Sequence, residues 1–330
     1  MATNEIILTP AAALVPDQLF TPTAKAAERV LEFFTTQINN DNTRSAYLIA
    51  IKRFTLWCED HGIRELTQVR PFHVAAFTKD LQEQLAPPTV KQNLAALRML
   101  FDWLVTGHII EVNPAHAVRG PKHVVRKGKT PYLASDEARE LLDSIETTTL
   151  VGLRDRALIA TMTYTFARVS AAIGMKVRDY YVLGRRSRVR LHEKGGKEHE
   201  VPCHHNLEKY LDDYIAAAGL AGDPDGPLFR TAPGKPGMPL TRKPMSRLDS
   251  FRMIQRRAKA AGIATLRLGN HSLRATGITA FMANNGTLEG AQNIAAHASP
   301  RTTKLYDHSA DDISLDDVEK ISIYNKPFAS

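Results

Sequence analysis

The chain has 330 residues, with 43 Lys+Arg against 35 Asp+Glu and a net charge of +8 at pH 7. This length allows two folded domains, and the hydrophobic fraction of 43% is typical of a globular protein. No apolar run reaches the roughly 18–20 residues that span a bilayer. The two cysteines, Cys58 and Cys203, form no metal-binding or disulfide pattern. We therefore exclude a membrane protein and a disulfide-stabilised one, and we expect a cytoplasmic protein.

The positive charge is concentrated in one part of the chain. Residues 120–306 hold 30 Lys+Arg against 17 Asp+Glu, whereas residues 1–119 hold 11 against 12 and residues 307–330 hold 2 against 6. A long segment with this net positive charge indicates an acidic partner, and nucleic acid is the leading candidate.

The N-terminal third predicts an arm followed by a helical domain. Residues 1–22 contain three prolines and predict an irregular arm. Residues 23–115 contain four stretches with apolar residues at helical spacing, which predict a compact four-helix domain. Asp41 and Asn42 are suited to cap the second helix, and Pro71 is suited to start the third.

A short basic segment separates the two predicted domains. Residues 116–130 form this linker, which contains five basic residues and no acid between positions 119 and 129. The segment fits a solvated interdomain connection and equally a tether that crosses a DNA backbone, and both can hold together.

Residues 131–330 predict a second domain that is mainly helical. Helices are expected from Ser135, whose hydroxyl can cap the first of them, and over residues 152–166, 206–219 and 244–262. Strand-like alternation in residues 177–183 and 187–192 leads into a hairpin tip, which predicts a small antiparallel sheet. The tip reads Glu193-Lys194-Gly195-Gly196-Lys197.

The candidate chemistry lies between His271 and Tyr306. His271 and Arg274 are three residues apart at the head of a predicted helix, so an imidazole and a guanidinium share one face, which suits them to grip a phosphate. Tyr306 stands nine positions after His297, in a polar segment where a core tyrosine is not expected. Each feature is weak alone, and the ordered set carries the inference. In chain order it is Arg168, Lys194, His271, Arg274, His297 and Tyr306.

This set resembles the active-site signature of the tyrosine recombinases, also called the phage integrase family. The N-terminal helices resemble the SAM-like core-binding domain of that family, and the remainder resembles its catalytic domain, which has the DNA breaking-rejoining fold. The simple two-domain layout is similar to the Xer-like members. The resemblance implies a site-specific recombinase that cuts and rejoins DNA strands for integration, excision or resolution of a mobile element or replicon.

The resemblance also implies a role for each residue of the set. Tyr306 would attack the scissile phosphate and form a 3′-phosphotyrosine, while Arg168 and Arg274 neutralise the non-bridging oxygens. His271 would assist removal of the tyrosine proton, and His297 would donate a further hydrogen bond. Lys194, or alternatively Lys197, would protonate the leaving 5′-oxygen. The bond energy stays in the phosphotyrosine, so we expect no ATP, no metal and no other cofactor.

One position departs from the family pattern. Three residues after Arg168, where the family commonly has Glu or Asp, this chain has Ala171. The sequence leaves open a slower enzyme, an altered site, or a compensating acid such as Asp155 or Asp179.

The resemblance also bears on the partner and on the assembly of the protein. The resemblance implies double-stranded DNA with paired inverted binding sites as partner, a homo-tetramer in the synapse, and a nucleoid-associated location. The amphipathic segment within residues 312–330 is expected either to pack on its own domain or to dock in a neighbouring protomer.

The main alternative function is an architectural or regulatory DNA-binding protein that has weak catalysis or none. A type IB topoisomerase uses similar chemistry but fits the separate helical domain and the spacing less well.

Overall fold

A computed structural model describes residues 19–20, 23–123, 128–193, 196–234, 237–263, 267–297 and 299–306. The chain divides into two compact units, Met1–Val124 and Val125–Ser330. The finer limits predicted for the arm, the core-binding domain, the linker and the catalytic domain stay predictions. Of the predicted arm, the structure describes Leu19 and Phe20, which are buried in the core of the first unit.

The described part of the first unit consists of helices joined by turns and loops, with no strand. Its core is formed by apolar side chains at helical spacing, with Phe54 at the centre of contacts among the rings of Phe20, Phe77 and Phe101. The helices are α1 (Ala24–Glu32), continued by a π-helical turn (Phe33–Gln37), α2 (Asp41–Asp60), a 3-10 turn (Leu66–Gln68), α3 (Pro71–Gln84) and α4 (Pro87–Thr106).

Helix starts in the first unit follow local chemistry. Pro71 begins α3, as predicted, and Pro87 lies in the first turn of α4, where its missing N–H costs nothing. The predicted cap of α2 was wrong by one position. Asn40 is the N-cap, because its Oδ1 accepts the N–H groups of Asn42 and Thr43 at 3.0 and 3.2 Å.

The second unit combines helices with a three-stranded antiparallel sheet in the order β1-β2-β3. Strands β1 and β2 pair from Tyr180 opposite Val189, and β2 and β3 pair from Arg188 opposite Pro202. The elements are α5 (Ser135–Asp143), α6 (Leu150–Tyr164), α7 (Val169–Ile173), β1 (Tyr180–Leu183), β2 (Arg186–His192), β3 (Glu198–Pro202), α8 (His205–Ala217), α9 (Arg247–Ala260), α10 (Asn270–Ala283), α11 (Leu288–Ile294) and α12 (Pro300–Lys304).

Two local predictions for this unit were wrong. The N-cap of α5 is Ala134 rather than Ser135, and the free N–H of Ala134 is taken by the Glu137 carboxylate at 2.7 Å. The first predicted strand is shorter than expected because Val177–Asp179 forms a 3-10 turn before β1. The mainly helical fold with a small antiparallel sheet is confirmed.

The core of the second unit positions the elements that carry the candidate residues. Helix α10 crosses α6 closely at Gly277, where an added Cβ would lie 1.9 Å from the carbonyl oxygen of Thr163. The sheet is tied to α11 because the Nε2 of His199 lies 3.0 Å from the carbonyl oxygen of Ile294. Among the described residues, no helix is both long and apolar enough to cross a bilayer.

Candidate active site

Helix α10 supplies two of the candidate residues. The hydroxyl oxygen of Ser272 accepts the N–H of Gly269 at 3.0 Å and fixes the start of the helix. His271 and Arg274 then lie one turn apart on α10, as the spacing predicts.

Arg274 is one of the most deeply buried side chains in the protein, with 1% of its surface exposed. Its Nη1 donates to the carbonyl of Phe166, and its Nη2 donates to the carbonyl of Ala295 at 2.6 Å. The Nε is buried, and among the residues that the structure describes it has no hydrogen-bond partner. Burial, followed by the charge of Arg168, lowers the pKa of Arg274 to about 10, so the guanidinium stays charged at neutral pH. Backbone carbonyls therefore fix both ends of the guanidinium.

Tyr306 follows the short helix α12 and is held through its backbone. Its N–H donates to the carbonyl of Thr303 at 2.9 Å, and its carbonyl accepts the hydroxyl of Thr279 from α10 at 3.4 Å. The preceding carbonyl, that of Leu305, accepts the N–H of Gly128 at 2.9 Å. The end of the predicted linker therefore bonds directly beside Tyr306.

The phenol of Tyr306 is paired with His271. The Oη of Tyr306 lies 2.7 Å from the Nε2 of His271. Burial, then the charges of Arg274 and Arg168, lowers the pKa of His271 below its usual value, so the ring is neutral at pH 7 and Nε2 can accept the phenolic proton. Burial raises the pKa of Tyr306, while the same two arginines act in the opposite direction. The pair is thus arranged for proton transfer from the phenol to the imidazole.

The ring of His297 also lies beside the Tyr306 ring. The two rings are nearly parallel, with 9° between their planes and 6.1 Å between their centroids. The Nδ1 of His297 lies 2.8 Å from the hydroxyl oxygen of Thr303. Burial first, then the charges of Arg274, Arg168 and His271, lowers the pKa of His297 to about 4. A neutral His297 can direct one N–H at an anion while the other nitrogen stays bonded to Thr303.

Arg168 occupies the N-cap position of α7 through its backbone. Its guanidinium pairs with a carboxylate that the sequence did not single out. Its Nη1 donates to Oε2 of Glu193. The Arg168 side chain is 37% exposed, whereas that of Glu193 is only 4% exposed. Glu193 stands immediately before Lys194 at the hairpin tip, and this adjacency was the one available sequence signal.

The two acids considered as substitutes at Ala171 lie elsewhere. The carboxylate of Asp155 is buried and accepts hydrogen bonds from the guanidiniums of three arginines, namely Arg154, Arg256 and Arg257. The carboxylate of Asp179 accepts the N–H of Lys176 at 2.8 Å and lies 3.5 Å from His192. The hydrogen bonds and ion pairs described for these two carboxylates involve no candidate residue. The expectation that one of them compensates for Ala171 is therefore wrong.

Two predicted features fall outside the described residues. Lys194, at the hairpin tip, is one of them, and the segment 312–330 is the other. Lys197 is described and exposed, and its carbonyl accepts the N–H of Glu193 at 2.8 Å, which closes the base of the hairpin loop.

The geometry defines a site with a phenol, a neutral base and two guanidiniums. Such a site can bind an anionic group and deprotonate a tyrosine beside it. Across the described ranges, no group of His, Cys, Asp and Glu side chains is arranged to hold a metal ion.

Comparisons with known proteins match both units. The family model for the phage integrase family matches residues 131–312, and that for the phage integrase N-terminal SAM-like domain matches residues 27–111. The tyrosine recombinase XerC of Escherichia coli is 29% identical over 255 residues, which cover 74% of this chain and 76% of that protein.

Solved structures of recombinases share the fold. A XerH site-specific recombinase bound to difH substrate aligns with a TM-score of 0.63 and 19% identity, over 84% of this chain and 78% of that one. A lambda integrase dimer bound to a COC' core site aligns with a TM-score of 0.67 and 19% identity, over 87% and 79%.

The chain belongs to the phage integrase family, whose members are the tyrosine recombinases. The resemblance noted from the sequence, the fold class and the function class of DNA recombination are thereby confirmed.

Proposed function

We propose that this chain is an active site-specific recombinase that cleaves and rejoins double-stranded DNA through a 3′-phosphotyrosine. The observation that carries the proposal is the 2.7 Å contact between the Tyr306 hydroxyl and Nε2 of a neutral His271. A tyrosine kept only for packing needs no basic acceptor, whereas a nucleophile needs one for its proton.

In this proposal each candidate residue acts on one part of the phosphate. Tyr306 Oη attacks phosphorus as His271 takes its proton, and the 5′-oxygen leaves. Arg168 and Arg274 neutralise the charge that grows on the non-bridging oxygens, and His297 donates a hydrogen bond to them. Rejoining reverses the step: a 5′-hydroxyl attacks the phosphotyrosine and releases Tyr306. No water and no cofactor enters the balance.

Lys194 is proposed as the acid that protonates the leaving 5′-oxygen, with Lys197 as the alternative. A substrate with a bridging sulfur at the 5′ position needs little protonation because a thiolate leaves readily. It should rescue Lys194→Ala and leave Arg274→Ala impaired. Equal rescue of both variants, or rescue of Lys197→Ala alone, would remove Lys194 from this role.

The proposed substrate is double-stranded DNA with two recombination sites, each a pair of inverted half-sites, bound by four protomers in the cytoplasm at the nucleoid. The charge of residues 120–306 supports a DNA partner. Two of the fold relatives are a XerH recombinase bound to difH substrate and a lambda integrase tetramer bound to a Holliday junction. In the same proposal, the segment 312–330 exchanges between protomers, and deleting it should abolish cooperative pairing of half-sites while single half-site binding remains.

A covalent-adduct assay tests the function. Sequencing the DNA retained by Tyr306→Phe from a genomic library gives the binding site. A duplex of that site with a nick near the cleavage position should then trap wild-type protein as an adduct, because the short fragment diffuses away. Tyr306→Phe should bind with unchanged affinity and form no adduct.

The matched control is Tyr210→Phe, which changes a tyrosine of the same unit that packs under Arg156. This variant should form the adduct at the wild-type rate. If wild-type protein binds the site and forms no adduct, the architectural alternative is correct. If Tyr306→Phe still forms phosphotyrosine, another residue is the nucleophile.

A further inference from the structure

The site has no carboxylate at Ala171 on helix α7, but it has one at Glu193 after strand β2. Ala171 is buried and offers no charged group to Arg168. Glu193 does offer one, from the far end of strand β2, 25 residues along the chain from Arg168. The carboxylate therefore reaches the same guanidinium from the hairpin instead of from helix α7.

The Glu193 side chain is built into the site and is not a surface ion pair. It is 4% exposed, and Oε2 accepts Nη1 of Arg168. Its backbone N–H closes the hairpin loop on the carbonyl of Lys197 at 2.8 Å. A buried carboxylate is unfavourable without a cation, so Arg168 and the hairpin loop hold each other in place.

The electrostatic balance of the site also depends on Glu193. Its charge favours the protonated form of Arg274, against the effects of burial and of Arg168. The positive charge of Arg168 acts against the charged form of Arg274, so the two arginines repel each other. The Glu193 carboxylate lowers that repulsion, and the three groups together keep a net positive charge for the phosphate.

We propose that Glu193 is the positioning residue that replaces the acid missing at Ala171: it orients Arg168 toward the scissile phosphate and connects that arginine to the β2–β3 hairpin. This inference rests on the proposed function. Glu193 acts through Arg168 and does not touch the reacting atoms. The Glu193 carboxylate then holds Arg168 in place of an acid at position 171, and Ala171 does not impair the recombinase.

The test uses single-turnover cleavage of the nicked duplex by the full chain, with the active fraction titrated by DNA binding. Glu193→Gln should lower the cleavage rate about 10- to 100-fold, the cost of misplacing a group that must be oriented. The affinity for the site should change less than about threefold, because many other contacts share the binding. In the Arg168→Ala chain, adding Glu193→Gln should cost less than about twofold, since residues that act as one unit are not additive.

A second substrate separates positioning from a folding defect. A methylphosphonate at the scissile position removes one negative oxygen, so less of the rate depends on an oriented Arg168. The deficit of Glu193→Gln should shrink at least about tenfold on this substrate, whereas a folding defect slows both substrates equally. Glu193→Asp keeps the buried charge, withdraws it by one methylene, and should show the same substrate-dependent deficit even if Glu193→Gln fails to fold.

The matched control is Glu208→Gln, which changes a carboxylate that anchors the other end of strand β2 through the hydroxyl of Ser187 at 2.6 Å. It should cleave both substrates at the wild-type rate. Full activity of Glu193→Gln, or an equal loss on both substrates for both Glu193 variants, would overturn the assignment while the proposed function stands. Absence of an adduct with wild-type protein would overturn the proposed function and this assignment together.

Discussion

Phe166 and Ala296 both adopt the left-handed backbone conformation, with φ of 52° and 48°, although neither is a glycine. Phe166 stands two residues before Arg168, and Ala296 stands directly before His297. The carbonyls of Phe166 and Ala295 accept the two ends of the Arg274 guanidinium. One buried arginine thus fixes two strained turns, and each turn delivers a candidate residue to the site.

The strain at Ala296 predicts a stabilising substitution. Ala296 ends α11 in a Schellman motif, in which His297 N–H donates to the carbonyl of Gln292 at 3.1 Å, and glycine is the usual residue at this position. Ala296→Gly should raise the free energy of unfolding by up to about 1 kcal/mol, because relief of a left-handed alanine outweighs the entropy of glycine. Urea unfolding of the full chain measures this change.

Gly262 provides the matched control for that measurement. It holds the same position at the end of α9, with φ of 76° and Ile263 N–H donating to the carbonyl of Ala258 at 2.9 Å. Gly262→Ala should destabilise by about 1 kcal/mol. If both substitutions move the unfolding midpoint in the same direction, the left-handed backbone does not control stability at these turns.

The anchoring of Arg274 predicts that its loss costs stability as well as chemistry. Arg274→Ala leaves the buried carbonyls of Phe166 and Ala295 without their donor, at about 1–3 kcal/mol each. We expect a loss of about 2–6 kcal/mol in urea unfolding of the free protein. The exposed Arg301 on α12 is the control, because Arg301→Ala removes a surface side chain and should stay within about 0.5 kcal/mol of wild type. A loss below about 1 kcal/mol for Arg274→Ala would contradict the anchoring role.

The protonation state of His271 predicts how cleavage depends on pH. The pKa of His271 is lowered by burial and by the charges of Arg274 and Arg168, so the neutral imidazole predominates at pH 7. Adduct formation should change little between pH 8 and pH 7, and its half-maximal point should lie below the ordinary histidine value of about 6.5. In Arg168→Ala one of the lowering charges is gone, and NMR titration of the His271 ring should show a higher pKa. An unchanged or lower value would contradict the electrostatic coupling.

The sequence carried enough information for the helices and for the identity of most candidate residues. Helical spacing of apolar residues places α2, α3, α4 and α10 close to where they occur, and proline marks the start of α3. His271 and Arg274 share a helix face through spacing alone. These features depend on local periodicity, which a single sequence records.

The contacts that organise the site depend on tertiary structure. The pairing of Arg168 with Glu193 joins residues 25 apart through a hairpin, and nothing local marks the two as partners. The left-handed turn at Ala296 gave no signal because alanine stands where glycine usually signals it. Likewise, the buried carbonyls that hold Arg274 are backbone groups, which no residue pattern reveals.

His297 gives the final prediction, in which acid weakens the fold through one imidazole. Its pKa is about 4 in the folded chain and near 6.5 when unfolded, so between these values the unfolded chain binds more protons. The contribution of His297 to the free energy of unfolding is therefore fully present above about pH 6.5 and decreases as the pH drops toward 4. The wild-type loss between pH 7.5 and pH 5, measured by urea unfolding, should exceed that of His297→Gln by up to about 2 kcal/mol. Thr303→Val removes the hydrogen bond to Nδ1 and keeps the buried ring, so it should retain the wild-type pH dependence. Equal losses in wild type and His297→Gln would show that the buried ring does not govern acid sensitivity.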